Sequence, residues 1–166
     1  MSIDKVREYF KKYGREGDIL EFPVSSATVA LAAEALNVIP ARITKTLALK
    51  SGESCIVIAV AGDGKIDNHK FKNEFGFKAK MLSPEETVTL TGHAVGGVCP
   101  FALPDGIKTY CDISLKRFDS VFPACGSSNS AIELSCDELY RYSNAEKWVD
   151  ICKDWEYSVL WNAKII

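Results

Sequence analysis

The chain has 166 residues, 47% of them apolar, and its 20 basic residues nearly balance 22 acidic ones. That length and apolar fraction predict one ordinary domain, residues 1–166, with a real core, and exclude a disordered or fibrous chain. A net charge of −2 excludes wholesale electrostatic wrapping of nucleic acid and leaves room only for a local basic patch.

Ser2-Ile3-Asp4 followed by Val6, Tyr9, Phe10 and Tyr13 has helical spacing, closed by Gly14. Ile19 to Phe22 predicts a short strand. Ser25-Ser26 then opens a helix through Leu36, which Asn37 and Pro40 end. Ile43 to Lys50 and Cys55 to Ala61 predict a hairpin around Ser51-Gly52-Glu53, and Gly62-Asp63-Gly64 is a turn. Helices follow over Asp67 to Phe75 and from Ser83, where Ser83-Pro84-Glu85-Glu86 is a start signal, to Thr89. Lys108 to Asp112, Val121 to Ala124 and Ala131 to Leu134 predict strands. Ser135-Cys136-Asp137-Glu138 reads as a capping box opening a helix to about Tyr142, and Ala145 to Lys153 predicts one more helix. Strands and helices mix without strict alternation, so the expected class is α+β.

Ile3 to Glu8 is charged from the outset with no apolar run behind it, unlike a signal peptide. The uncharged segment from Thr87 to Pro104 is broken by Gly92, Gly96, Gly97 and Pro100, and it reads as buried rather than membrane-spanning. The cysteines at 55, 99, 111, 125, 136 and 152 form no CxxC pair, and His69 and His93 lack ligand spacing, so no metal and no cofactor is expected. Cysteines inside apolar runs such as Cys55-Ile56-Val57-Ile58 fit reduced core thiols, hence a cytoplasmic protein without membrane association.

No Ser-His-Asp signature and no phosphate-binding GxxxxGK[ST] is present. His93 reads as a core histidine, and Cys125, with no base nearby in sequence, as a structural thiol. Lys45 is more informative. In Ile43-Thr44-Lys45-Thr46-Leu47-Ala48-Leu49, alternation sends Ile43, Lys45, Leu47 and Leu49 to one face, where a lysine must snorkel, pair or face a pocket. Gly96-Gly97-Val98-Cys99-Pro100-Phe101 is either a structural turn or a loop that lets a ligand approach main-chain N–H groups.

Taken together, these residues resemble the YbaK/EbsC family, the prolyl-tRNA-synthetase-associated editing domains. The likeness runs from Phe22 to Asp150. It rests on Ser26-Ala27-Thr28, Lys45-Thr46-Leu47, the Gly-Asp turn with Lys70 beyond it, Thr91-Gly92, Gly96 to Phe101, Asp112, Gly126-Ser127, Ile132-Glu133-Leu134 and the helix around Asp137. The resemblance implies a mixed, barrel-like sheet flanked by helices, with a pocket between the lysine strand and the GxxxP loop. It implies metal-independent hydrolysis of the ester of a mischarged tRNA, without a protein nucleophile, by a chain acting in trans. Its partners would be the aminoacyl-tRNA 3′ end, tRNA(Pro) carrying a small amino acid, and prolyl-tRNA synthetase.

Carried over residue by residue, the catalytic positions are Lys45, Gly96 and Gly97. The substrate-binding positions are Thr28, Thr46, Val98, Cys99, Pro100, Phe101, Asp112, Gly126 and Ser127. Relatives that act on cysteinyl-tRNA(Pro) carry an Asp before the Ile-Glu-Leu run, where this chain has Ala131, so the amino acid stays open among Ala, Ser, Thr and Cys. Two other readings compete. One is a non-catalytic tRNA- or synthetase-binding module using Lys70, Lys72, Lys78 and Lys80. The other is a thiol enzyme using Cys99 or Cys125. Trp148, Trp155 and Trp161 fit tail docking or a subunit contact.

Overall fold

A computed structural model describes residues 2–155. Its centre is the hairpin of β2 (Ile43–Ser51) and β3 (Ser54–Ala61), eight residue pairs from Thr44↔Ala61 to Ser51↔Ser54. β5 (Lys108–Asp112) adds parallel to β3, β8 (Trp148–Val149) parallel to β5, and β6 (Phe122–Pro123) parallel to β2. The five-stranded mixed sheet therefore has the order β6-β2-β3-β5-β8. Two short antiparallel ladders flank it: β1 (Leu20–Glu21) with β7 (Ser130–Ala131), and β4 (Lys65–Ile66) with β9 (Cys152–Lys153).

Among the described residues five helices pack around the sheet, and most begin where a side chain satisfies an orphan N–H. α1 (Ser2–Lys11) buries Val6 and Phe10. In α2 (Val29–Leu36) the cap is Thr28, whose hydroxyl accepts from the Leu31 N–H, and Asn37 closes the helix in the left-handed region. Asp67 caps α3 (Asn68–Phe75), while full capping boxes open α4 (Pro84–Thr91) and α5 (Cys136–Tyr142). The Arg42 guanidinium, just ahead of β2, donates to the Ser120 carbonyl and hydroxyl and so fastens the approach to β6.

The hairpin separates two environments. On one face Leu49, Ile56, Ile58 and Val60 pack against Phe71, Val149 and Ile151, and the rings of Phe71, Phe75 and Phe77 contact one another there. Those phenylalanines are core. On the other face the small Ala59 and Ala61 meet the larger cluster built on Val6, Phe10, Phe101, Leu115 and Leu139.

Three expectations change. The second helix begins at Val29, not Ser25, because the Ser26 N–H donates to the Ser128 carbonyl at 2.6 Å and holds the chain extended. Ala131 to Leu134 is no continuous strand: β7 ends at Ala131, and Leu134 bridges separately to Val121. Ala145 to Lys153 is no helix. Its Ala145, Trp148, Val149 and Cys152 have helical spacing, but Trp148 and Val149 pair with β5, and the Ile151 N–H donates to the buried Asp112 carboxylate at 2.8 Å. No helix among the described residues is long and apolar enough to cross a membrane.

Candidate active site

A cavity of about 360 Å³ lies against one edge of β2. That edge is covered by β6 at Ile43 and Thr44, and further along by the 80–82 segment, whose Leu82 N–H donates to the Ala48 carbonyl while the Lys50 N–H donates to the Lys80 carbonyl. The gap between these partners is where the cavity meets the sheet. Phe122 and Ala124 line it on one side and Met81 and Leu82 on the other. The start of α2 (Ala27, Thr28, Val29) and the glycine loop (Val95, Gly96, Val98) form the remaining walls.

Among the described residues Lys45 is the one charged residue lining this cavity, and no carboxylate lines it. The start of α4 contributes Pro84 and Thr87, but Glu85 and Glu86 occupy its first turn, so the positive features of the site are the N-terminus of α2 and Lys45. The cross-strand partner of Lys45 is Val60, so its side chain leaves β2 on the packed face. Its ammonium donates to the Gly64 carbonyl at 2.7 Å. Burial pushes this lysine's pKa down from 10.5, partly offset by the Cys152 and Asp63 side chains. Of the three options open to a lysine on an apolar face, pairing is realised.

The glycine loop is a packing device. A Cβ at Gly97 would stand 2.8 Å from the Gly126 carbonyl carbon and the Ser127 nitrogen, so two loops touch backbone to backbone. Gly96 has φ +95, and a Cβ there would press on Ala27 at 3.2 Å. The Gly97 N–H is spent on the Ala94 carbonyl at 3.0 Å, whereas those of Gly96 and Val98 make no hydrogen bond among the described residues. His93 fastens this loop from behind. Its Nε2–H donates to the Phe101 carbonyl at 2.8 Å, which leaves Nδ1 to accept from the Ser2 hydroxyl. Fully buried, with its pKa lowered by that burial, it is a neutral core histidine.

Of the positions expected from sequence, Thr28, Lys45, Thr46, Gly96 and Val98 come together around the cavity. Gly97, Gly126 and Ser127 form the loop contact beneath it. Pro100 lines a separate shallow pocket beside Tyr9 and Asn144. Cys99 and Phe101 are fully buried in the core, Phe101 against the Phe10 ring at 4.8 Å. Asp112, also fully buried, accepts from the Ser114 and Ile151 N–H groups. A thiol mechanism does not fit: burial raises the Cys99 pKa to about 12 and pushes Cys125 well above its ordinary value. Lys70 of the basic run donates to Asp150 and to the Cys152 carbonyl. Trp148 stacks on Tyr140, the Trp155 indole donates to the Cys152 carbonyl, and Trp161 lies outside the described residues.

Sequence reading missed Thr44. Its hydroxyl and that of Thr46 are buried without a hydrogen-bond partner among the described residues. The signal was present in the same alternation that singled out Lys45, since residues 44, 46 and 48 must share the face opposite to Leu47 and Leu49.

Residues 24–142 match the model of the aminoacyl-tRNA editing domain. The chain belongs to this family. Among relatives of this editing domain, the uncharacterized protein YwhH of Bacillus subtilis is 54% identical over 94% of this chain and all of its own length. The proline–tRNA ligase of Bacillus cytotoxicus is 30% identical over 94 residues, which are 56% of this chain and 16% of the ligase. A crystal structure of a candidate trans-editing enzyme for prolyl-tRNA synthetase superposes with a TM-score of 0.83 at 25% identity, covering 92% of this chain and 98% of the other. The mixed sheet flanked by helices is thus the editing-domain fold.

Proposed function

We propose that this protein is a cytoplasmic, trans-acting deacylase that hydrolyses the ester of tRNA(Pro) mischarged with a small amino acid, with prolyl-tRNA synthetase as its functional partner. The observation that carries this reading is a cavity with no carboxylate among its described lining residues, bounded by two helix starts and one lysine, in an editing-domain chain. Such a site suits a ligand that brings its own negative charge: a terminal nucleotide phosphate and the oxyanion that develops on the ester carbonyl.

In this account the ester arrives already activated, so the site has only to position it and stabilise charge. The Lys45 ammonium exchanges the Gly64 carbonyl for the phosphate or ester oxygen, reaching it through the gap in the β2 edge. The N–H groups of Gly96 and Val98 face the carbonyl, and Gly97 keeps their loop seated on Ser127. Water attacks the ester carbon, the tetrahedral intermediate collapses, and the ribose hydroxyl leaves with a proton. No metal and no protein nucleophile enter this scheme.

The test is discharge of alanyl-, seryl-, threonyl- and cysteinyl-tRNA(Pro) by catalytic amounts of protein, wild type beside Lys45→Ala. Discharge of at least one ester, reduced about 100-fold in the variant, supports the reading. A folded Lys45→Ala protein as fast as wild type contradicts it.

A further inference from the structure

Six hydroxyl side chains line the cavity: Ser26, Thr28, Thr44, Thr46, Thr87 and Ser130. Four are committed to the protein. Ser26 donates to the Ser128 carbonyl, Thr28 caps α2, Thr87 donates to the Ser83 carbonyl at 2.8 Å, and Ser130 accepts from the Ser127 hydroxyl and the Cys125 N–H. Thr44 and Thr46 are not. They lie two residues apart on one face of β2, and both oxygens are buried without a partner among the described residues. Thr44 is only 4% exposed. Buried hydroxyls are ordinarily satisfied, so two adjacent exceptions on the wall of a cavity point to a group that the ligand supplies.

From this pair we infer that the cavity selects a hydroxylated amino acid, serine or threonine, over alanine or cysteine, and that Thr44 is a specificity-determining residue. The inference rests on the deacylase reading and sharpens its substrate. An alanine methyl would leave both hydroxyls unpaired. A thiol is a weak donor and a weak acceptor. The substrate's α-ammonium would be buried here without a carboxylate to offset its desolvation, so it belongs toward the mouth. A side-chain hydroxyl both donates and accepts, so it can pair with a threonine hydroxyl in either direction while staying neutral. Ala131, which also lines the cavity, takes up little of it with its single methyl group. Sites built to hydrogen-bond a substrate hydroxyl reject the analogue lacking it far more strongly than apolar pockets reject a missing methylene.

The experiment compares kcat/KM for seryl-, threonyl-, alanyl- and cysteinyl-tRNA(Pro) in wild type, Thr44→Val and Thr44→Ser, with Thr46→Val as a second probe. Wild type is expected to prefer a hydroxylated ester over alanyl-tRNA(Pro) by at least about tenfold. The preference should collapse toward unity in Thr44→Val and persist in Thr44→Ser. Alanyl or cysteinyl ester discharged as fast as the hydroxylated ones overturns the inference and leaves the deacylase reading intact. So does a preference that Thr44→Val, with an unchanged melting temperature, does not alter. If no ester is discharged by wild type, the deacylase reading fails and takes this inference with it.

Discussion

The two faces of the β2–β3 hairpin obey opposite rules. Toward Phe71 and Ile151, Leu49, Ile56, Ile58 and Val60 are large and fully or nearly fully buried. Toward the cavity, β2 presents Thr44, Thr46 and Ala48, which are small, and two of them carry unpartnered hydroxyls. One strand thus provides stability on one side and leaves recognition unfinished on the other. Lys45 belongs to both, since it lines the cavity while its side chain leaves β2 on the packed face and donates to the Gly64 carbonyl.

Substitutions that treat the faces alike should therefore have unlike results. The largest stability loss is expected from Leu49→Ala, which opens a void in the dry face and should cost about 2–5 kcal/mol in denaturant unfolding. Gly97→Ala comes next. Its methyl meets the backbone of Gly126 and Ser127, so a loss of roughly 1–3 kcal/mol should accompany slower discharge. The opposite sign is expected for Thr46→Val, which replaces an unpaired buried hydroxyl by a methyl and should hold or raise the melting temperature, by an equivalent of about 1 kcal/mol at most. A melting temperature that falls as far in Thr46→Val as in Leu49→Ala would erase the distinction between the faces.

A subtler consequence concerns pH. Burial lowers the Lys45 pKa below 10.5, so its ammonium is lost at a lower pH than that of an exposed lysine. The protein-dependent rate, after subtraction of alkaline ester hydrolysis, should fall as pH rises through that lowered value. A rate that keeps rising to pH 10.5 would mean that the ammonium is not used.

Much of this was legible in the residues. The start signals at Ser83, Ser135 and Asp67 are local chemistry, and three helices follow from them, whereas the second helix waits for the Thr28 cap instead of opening at Ser25-Ser26. The hairpin announces itself through β-branched runs around Gly52. Where pairing is decided by distant partners, the sequence misleads. Residues 145–153 carry a helical apolar pattern, yet the Asp112 carboxylate and the exposed edge of β5 draw them into strand pairing. The site was half legible for the same reason. Lys45, Thr46 and the glycine loop stand out in one dimension. That Cys99, Phe101 and Asp112 are consumed by the core, and that Thr44 is left unpaired, depends on which side chains meet in three dimensions.

The most direct measurement is a turnover count: the number of mischarged tRNA(Pro) molecules discharged per protein molecule when RNA is in large excess. The account predicts many turnovers, with free amino acid appearing linearly until the ester is exhausted. A count that stops at one per protein, or an ester that decays more slowly with protein than without it, would identify a binder that shelters the bond and would contradict the account.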